Sequence, residues 1–110
     1  MAAARRVQSR DAVCAPAPVY AVFGDPVAHS LSPVMHTSAF LHAGLDNTYL
    51  AFRVSDIAEA MRGVRAFDIR GASITLPHKV SVMTHLDELD DMAARIGAVN
   101  TIVNRGGRLC

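Results

Sequence analysis

The stretch VYAVFGDPVAHSLSPVMHTSAFLHAG, residues 19–44, decides the fold, because it predicts a strand, a loop and a helix in that order. Its first segment, Val19–Phe23, is rich in β-branched and aromatic residues and stops at Gly-Asp-Pro, which is typical of a buried strand. The helix is expected over Ser32–Ala43, with Ser32 as its cap and Pro33 at the first helical position. A strand followed by a helix is the first part of a βαβ unit.

The sequence after residue 44 repeats this alternation of strands and helices. Asn47–Val54 alternates apolar and polar residues enough to predict a second strand. Asp56 can cap the helix that follows, and the apolar positions of that helix recur at helical spacing. These positions are Ile57, Ala60, Met61 and Val64. The segment DIRGASITL, residues 68–76, predicts a third strand that ends at Pro77.

The last part of the sequence predicts two more helices and a hairpin. A short helix is expected to begin at Pro77, and a longer one carries an apolar stripe. The stripe consists of Leu86, Leu89, Ala93 and Ile96. The last strand is expected over Ala98–Val103, and it turns at Asn-Arg-Gly-Gly into three final residues, fewer than a strand usually has.

These elements together predict a single α/β domain. We expect a mainly parallel sheet covered by helices on both faces, with a C-terminal hairpin at which the chain looks cut off. The domain is expected over residues 19–110, and the Ala- and Arg-rich residues 1–18 are expected to form a flexible leader. The composition of that leader leaves open a second interpretation, an organelle transit peptide.

Composition narrows the class of protein. Of 110 residues, 51% are hydrophobic and 19% charged, which is enough apolar material for a globular core. The formal charge of +1, with no basic cluster, does not suit nucleic acid, and no apolar run approaches the roughly 18 residues that cross a bilayer. Two cysteines, Cys14 and Cys110, fit a reducing compartment, so we predict a soluble cytoplasmic protein.

Two serines stand just before the predicted helix, at positions 30 and 32. Backbone N–H groups at a helix N-terminus lack partners, and the helix dipole adds partial positive charge. Hydroxyls next to such a terminus complete a small cup for an anion, so Ser30 and Ser32 are candidate ligands of a carboxylate or phosphate. The alternative is that Ser32 only caps the helix and Ser30 is an ordinary loop residue.

The segment SITLPHK, residues 73–79, is the second candidate. Pro77 holds Leu76 extended, so Thr75 ends the strand and Lys79 is expected in the first turn of the next helix. Ligands of open α/β sheets bind outside the carboxyl ends of the strands, where Thr75 and Lys79 would project. A lysine in a first turn is also electrostatically unfavourable, by about 0.3 to 1 kcal/mol. The alternative is a solvated surface lysine beside a proline that starts a helix.

Asn100 lies inside the otherwise apolar, strand-prone run IGAVNTIV. Asparagine is depleted in strands, and a buried amide needs partners for two donors and a carbonyl. A hydroxyl of a ligand could supply one partner, and neighbouring backbone groups are the alternative.

Two kinds of site are not indicated by the sequence. The five histidines show no metal-binding spacing, and no HExxH or paired CxxC is present. No GxGxxG follows a strand, so the residues that bind a dinucleotide are not expected in this chain.

Three segments, FGDPVAHSLSPVMH, GASITLPHK and IGAVNTIV, resemble in order and spacing the substrate-binding amino-terminal domain of shikimate dehydrogenases. The resemblance runs from about Tyr20 to the last residue. It implies reversible reduction of 3-dehydroshikimate to shikimate, with hydride from NADPH. The NADP would be bound by a domain that is absent from these residues, and shikimate or 3-dehydroshikimate is the implied partner.

The resemblance also implies a role for each candidate residue. Ser30 and Ser32 would hold the substrate carboxylate. Thr75 and Asn100 would bind substrate hydroxyls, and Lys79 would be the catalytic residue. Of these, Lys79 would donate a proton to the ketone oxygen of the substrate as that oxygen gains negative charge.

The chain departs from the family pattern at two residues and in its length. Thr37 stands where the family usually has asparagine after His36, and Ser73 and Ile74 stand where it usually has Asn-Val. The aspartate that the family places beyond the third segment is not among these residues, so the chain alone is expected to bind a shikimate-like acid weakly without turnover. Two alternatives stay open: a non-catalytic module for shikimate or quinate, and a quinate/shikimate dehydrogenase.

Overall fold

The computed structural model describes residues 17–110, and these contain five strands, three α-helices and one 3-10 helix. In chain order the elements are β1 Val19–Gly24, α1 Ser32–His42, β2 Thr48–Arg53, α2 Ile57–Ala66, β3 Ile69–Ile74, the 3-10 helix Ser81–His85, α3 Asp91–Ile96, β4 Thr101–Arg105 and β5 Arg108–Leu109. The predicted leader, apart from its last two residues, and Cys14 lie outside the described residues. No helix within residues 17–110 combines the length and the hydropathy needed to span a bilayer.

The sheet has the strand order β2-β1-β3-β4-β5. β1 is parallel to β2 and β3, whereas β4 is antiparallel to β3, and β5 is antiparallel to β4. The expectation of a mainly parallel sheet is therefore only partly met, because the sheet is mixed. The two ends of the connection between β3 and β4 lie together, since the N–H of Val99 donates to the carbonyl of Lys79 at 2.8 Å. The chain therefore re-enters the sheet at the end where β3 stops, and β4 runs antiparallel to β3.

The two faces of the sheet are covered unequally. On β1, Ala21 and Phe23 belong to the hydrophobic core, while the alternate residue Tyr20 contacts Phe40 of α1 on the other face. The core face carries α2, the 3-10 helix and the partly buried Ala93 of α3. On the other face lies α1, none of whose residues is buried. Helices therefore cover both faces, as predicted, but the main core lies on one of them.

The predicted start of α2 is confirmed. Asp56 lies at the N-cap, and its Oδ1 accepts hydrogen bonds from the backbone N–H of Ala58 at 3.1 Å and of Glu59 at 3.3 Å. The buried residues of the helix are Ile57, Met61 and Val64, at the predicted spacing. Local capping and periodicity were sufficient to place this element.

The predicted cap of α1 is wrong. The helix begins at Ser32 with Pro33 in its first turn, but the residue at the N-cap is Leu31, which makes no side-chain capping bond. The backbone N–H of Ser32 donates to Ser30 Oγ at 3.2 Å instead. A serine hydroxyl two residues upstream can bond locally to the backbone, and here it replaces a cap by Ser32.

The long helix predicted from the apolar stripe is also wrong. Leu86 is extended, with φ −97° and ψ 150°, and α3 begins only at Asp91 after the cap Asp90. Ile96, the last member of the stripe, is 68% exposed. The backbone N–H groups of residues 87 and 88 donate to the carbonyl oxygen of Leu109 at 2.9 and 3.2 Å. Pairing with the C-terminal strand therefore replaces the helical hydrogen bonds that periodicity predicted.

Candidate functional site

The three segments with candidate residues meet at one edge of the sheet. The backbone N–H of Thr75 donates to the carbonyl of Phe23 at the end of β1, at 2.9 Å. The N–H of Ile74 donates to the carbonyl of Asn100 at 2.8 Å, and the N–H of Val99 donates to that of Lys79 at 2.8 Å. The end of β3 is thus held between the end of β1 and the start of β4, at the carboxyl ends of the parallel strands.

A glycine at the end of β1 permits this close approach. A Cβ on Gly24 would lie 2.2 Å from Cγ2 of Thr75 and 3.1 Å from the carbonyl oxygen of Leu76. No side chain larger than hydrogen fits there unless the β3 segment moves. The backbone N–H of Asp25, the next residue, donates to the same Leu76 carbonyl at 2.9 Å. The loop that carries the two serines therefore starts in direct contact with Thr75.

The two serines form a tight local turn ahead of α1. The N–H of Ser30 donates to the carbonyl of Val27 at 3.0 Å, and Ser30 Oγ accepts from the N–H of Ser32. Among the described residues, the hydroxyl of Ser32 has no hydrogen-bond partner. Both serines are partly exposed. The pair therefore presents two hydroxyl donors beside the start of a helix, as an anion site would need.

Lys79 does not lie where the helical prediction placed it. It stands two residues before the 3-10 helix, not in the first turn of an α-helix, so the argument from an unfavourable helix dipole does not apply. The lysine is partly exposed, and its ammonium makes no ion pair within residues 17–110. It lines a cavity of about 660 Å³ together with Asn100 and Thr101.

Asn100 is an exposed residue rather than a buried one. The strand β4 begins after it, and its Oδ1 accepts from the hydroxyl of Thr101 at 3.3 Å. Its amide nitrogen has no hydrogen-bond partner in the described part of the chain. The predicted need for buried partners was therefore wrong, because the strand starts three residues later than expected. The amide nitrogen is accessible to a ligand.

A different asparagine, Asn104, is the buried one. Its Nδ2 donates to the carbonyls of Val64 at 3.3 Å and Ile69 at 3.0 Å, and its Oδ1 accepts from the N–H of Gly107 at 2.8 Å. The segment Asn-Arg-Gly-Gly predicted a turn at this residue. The signal that could have identified it is the two-residue alternation with Ile102, which places both side chains on the core face.

The candidate residues border two cavities and not one. Lys79 and Asn100 line the first, whereas Ser30 lines a second cavity of about 610 Å³ with Asp25 and Arg53. Arg53 Nε donates to Asp25 Oδ1 at 3.0 Å within that second cavity. Thr75 lines neither cavity, although its backbone contacts the end of β1. The structure brings the segments to one edge and leaves the serine pair beside a separate opening.

His78 also belongs to this edge, although no pattern in the sequence predicts a role for it. It is buried, and its Nε2 is in hydrogen-bond contact with the carbonyl oxygen of Val54, just after β2. This contact ties the turn that carries Lys79 to the second strand. Within residues 17–110, no group of three or more His, Cys, Asp or Glu side chains is arranged to hold a metal ion.

Comparisons with known proteins identify the family of the chain. The sequence model of a family described as the shikimate dehydrogenase substrate binding domain matches residues 22–102. A curated relative, the NADP(+) shikimate dehydrogenase of Bacillus cereus, is 52% identical over 93 residues, which are 83% of this chain and 34% of the relative. The chain thus spans about a third of the length of the curated relatives it matches.

Solved structures show the same fold. Shikimate 5-dehydrogenase of Thermus thermophilus, in complex with shikimate, matches with a TM-score of 0.81 and 42% identity over 84% of this chain and 36% of that one. The ligand-free 5-ketofructose reductase of a Gluconobacter species matches with a TM-score of 0.83 and 35% identity over 86% and 35% of the two chains.

Proposed function

Because this chain belongs to the family of the shikimate dehydrogenase substrate-binding domain, we propose that it is the substrate-binding part of an NADP-dependent shikimate dehydrogenase. The reaction is the reversible reduction of the ketone of 3-dehydroshikimate to the alcohol of shikimate. One observation carries the proposal: side chains at one sheet edge present polar groups that have no partner within residues 17–110. These groups are Ser32 Oγ, Thr75 Oγ1, Lys79 Nζ and Asn100 Nδ2.

The proposed roles follow from the chemistry of these groups. The hydroxyls of Ser30 and Ser32 bind the substrate carboxylate beside the N-terminus of α1. Thr75 and Asn100 hydrogen-bond the ring hydroxyls, since a hydroxyl and an amide can each donate to or accept from an alcohol. In its ammonium form, Lys79 donates a proton to the ketone oxygen as negative charge develops, and its amine takes that proton back in the reverse direction.

The residue type at position 79 supports a proton-transfer role. The chain carries eleven Lys and Arg residues, and Lys79 is the only lysine among them. An arginine guanidinium stays charged in proteins, whereas a lysine can gain and lose a proton. The one lysine side chain of the sequence therefore lies at this sheet edge, whereas the other basic side chains of the same class are arginines that cannot transfer a proton.

The residues of this chain do not fit the dinucleotide itself. Gly24 is the last residue of the parallel strand β1 and comes before the first helix, and Thr75 and Leu76 fill the space beside it. Its backbone is therefore not open to a pyrophosphate. We accordingly assign NADP, for which the curated relatives are named, to sequence outside this chain. The predicted domain boundaries and the cytoplasmic location stay predictions.

The test is a calorimetric titration with shikimate and with quinate. The protein used is the one that the gene encodes. Changing both Ser30 and Ser32 to alanine should weaken binding by roughly ten- to a hundredfold, because two hydrogen bonds to a carboxylate are lost. Ser38→Ala is the matched control, since that serine is exposed on the same helix. Unchanged affinity in the double variant would exclude the carboxylate role.

The catalytic role is tested by turnover in the same protein. Lys79→Ala should lower kcat by about 10²- to 10⁴-fold, and Lys79→Arg should lower it as much although the positive charge remains. Both variants should unfold at the same temperature as the parent, because Lys79 makes no side-chain bond within the described residues. Near-normal turnover in either variant would exclude Lys79 as the proton donor.

A second candidate is reduction of a different polyhydroxy ketone. It is favoured by the fold match to the Gluconobacter 5-ketofructose reductase. A separate titration with 5-ketofructose distinguishes the two candidate functions. Heat of binding with shikimate and none with 5-ketofructose supports the first proposal. A protein that binds shikimate, carries all the sequence its gene encodes and turns nothing over would instead be a non-catalytic module.

A further inference from the structure

Tyr49 of β2 lies between the two groups of candidate residues. It is buried, with 7% of its surface exposed. Its ring is stacked on the imidazole of His36, with centroids 4.4 Å apart and planes inclined by 7°. Its hydroxyl is 2.9 Å from Ser73 Oγ, and either oxygen can be the donor. One side chain thus contacts α1 through its face and β3 through its hydroxyl.

Both contacts lead directly to proposed ligands of the substrate. His36 lies four residues after Ser32, which places the two on the same face of α1 one turn apart. Ser73 is the last residue but one of β3 and lies two residues before Thr75, so the contact with Tyr49 is close to this ligand along the chain. Ser73 is also the register partner of Thr101, the residue that donates to Asn100.

The Tyr49 hydroxyl makes the hydrogen bond that connects this side of the helix packing to β3, whereas Tyr20 contacts both α1 and β3 through its ring alone. None of the hydrogen bonds within residues 17–110 joins α1 directly to β3. No side chain of α1 is buried, so the packing of this helix on the sheet is shallow. The start of the serine loop is fixed to Leu76 by the backbone N–H of Asp25, whereas the position of its other end, at α1, depends on the few side chains beneath that helix.

We propose that Tyr49 is a positioning residue of the substrate site, and this inference rests on the proposed function. Its stacked ring holds the first turn of α1, and its hydroxyl orients Ser73 beside the strand end that carries Thr75. Together these contacts set the distance between the carboxylate-binding serines and the hydroxyl-binding residues. A small hydroxylated acid can bridge the two groups only if that distance is kept.

The chain supplies a matched control in its other tyrosine. Tyr20 of β1 also packs its ring under α1, against Phe40, with centroids 5.5 Å apart. In the part of the chain that the structure describes, its hydroxyl makes no hydrogen bond. Tyr20→Phe and Tyr49→Phe thus remove the same atom from two tyrosines beneath the same helix, and only the second breaks a link to β3.

The experiment is titration with shikimate of the protein as its gene encodes it, in the parent and in four variants. Tyr49→Phe and Ser73→Ala should each weaken binding by roughly five- to tenfold, and the double variant should be no weaker than either alone, because both remove the same hydrogen bond. Tyr20→Phe should bind within about twofold of the parent. Equal affinities for Tyr49→Phe and Tyr20→Phe, or additive losses in the double variant, would overturn the positioning role.

Amide hydrogen exchange, measured without ligand, tests the positioning role of Tyr49 independently of whether the protein binds shikimate. Exchange of the amides of Ile74 and Thr75, which follow Ser73 at the end of β3, should be faster in Tyr49→Phe than in the parent and unchanged in Tyr20→Phe. A parent that binds no acid but shows this exchange pattern would overturn the proposed function and support the positioning role. Identical exchange in the two variants would overturn the positioning role whether or not the acid binds.

Discussion

At the scale of single residues, two asparagines four positions apart have opposite surroundings. Asn104 is 6% exposed and makes three hydrogen bonds to backbone groups of α2, β3 and the hairpin turn. Asn100 is exposed, and its amide nitrogen has no partner among residues 17–110. The same residue type therefore serves stability at one position and is available for binding at the other.

This contrast predicts that substitution of Asn104 lowers stability, whereas substitution of Asn100 weakens ligand binding. Asn104→Ala should lower the free energy of unfolding by about 2 to 3 kcal/mol, because it leaves the buried carbonyls of Val64 and Ile69 without a donor. Asn100→Ala should leave that free energy within about 0.5 kcal/mol of the parent and weaken binding of shikimate instead. Urea unfolding of both variants measures the first effect. A stable Asn104→Ala protein would contradict the assignment of this amide to the core.

At the scale of elements, local signals are sufficient to predict α2 but not the segment that follows β3. The cap and the apolar spacing of α2 are encoded within eleven consecutive residues, 56–66, and the helix forms where both predict it. The segment from Leu86 to Ile96 has an equally regular apolar stripe but forms only a six-residue helix. Its first part pairs with Leu109, a partner about twenty residues away that no local pattern reveals.

The cap of α2 can be tested directly. Asp56→Ala should lower the free energy of unfolding by about 1 kcal/mol, because two N–H groups of the first turn lose their acceptor. Asp56→Asn is the matched variant: it keeps an acceptor oxygen and should recover most of the loss. Thermal unfolding of the three proteins gives the comparison. An asparagine variant as unstable as the alanine variant would show that charge, not the hydrogen bonds, stabilises this terminus.

At the scale of the whole molecule, Asp87 joins the C-terminal hairpin to α2. Its Oδ2 accepts from the N–H of Leu109 at 2.7 Å and from Arg65 Nη2 at 3.1 Å. Arg65 Nε also donates to the carbonyl of Gly107 at 3.0 Å. The hydrogen bond from the Leu109 backbone, and then that from Arg65, hold the pKa of the Asp87 carboxyl below its usual value of 3.8.

The lowered pKa of Asp87 predicts the sign of a pH effect. A carboxyl whose pKa is depressed on folding adds stability above the unfolded value of 3.8, and this contribution is lost as the pH falls through the folded value. Asp87→Asn should therefore be less stable than the parent at neutral pH, and the two stabilities should converge below pH 3.8. Unfolding measured across that range tests this. Asp91→Asn, which removes an exposed carboxyl of α3 that makes no hydrogen bond to Arg65 or Leu109, is the matched control for the loss of one charge.

The sequence by itself determined the elements whose signals are local: the strand β1, the helix α2 behind Asp56, and the three segments that carry the candidate site. Periodicity and capping act over a few residues, so they can be seen without a fold. Only the tertiary structure decided that β4 runs antiparallel, that the apolar stripe breaks at Leu86, and that Asn104 is buried while Asn100 is exposed. Each of these depends on hydrogen-bond partners far along the chain, and no pattern within the segment can specify them.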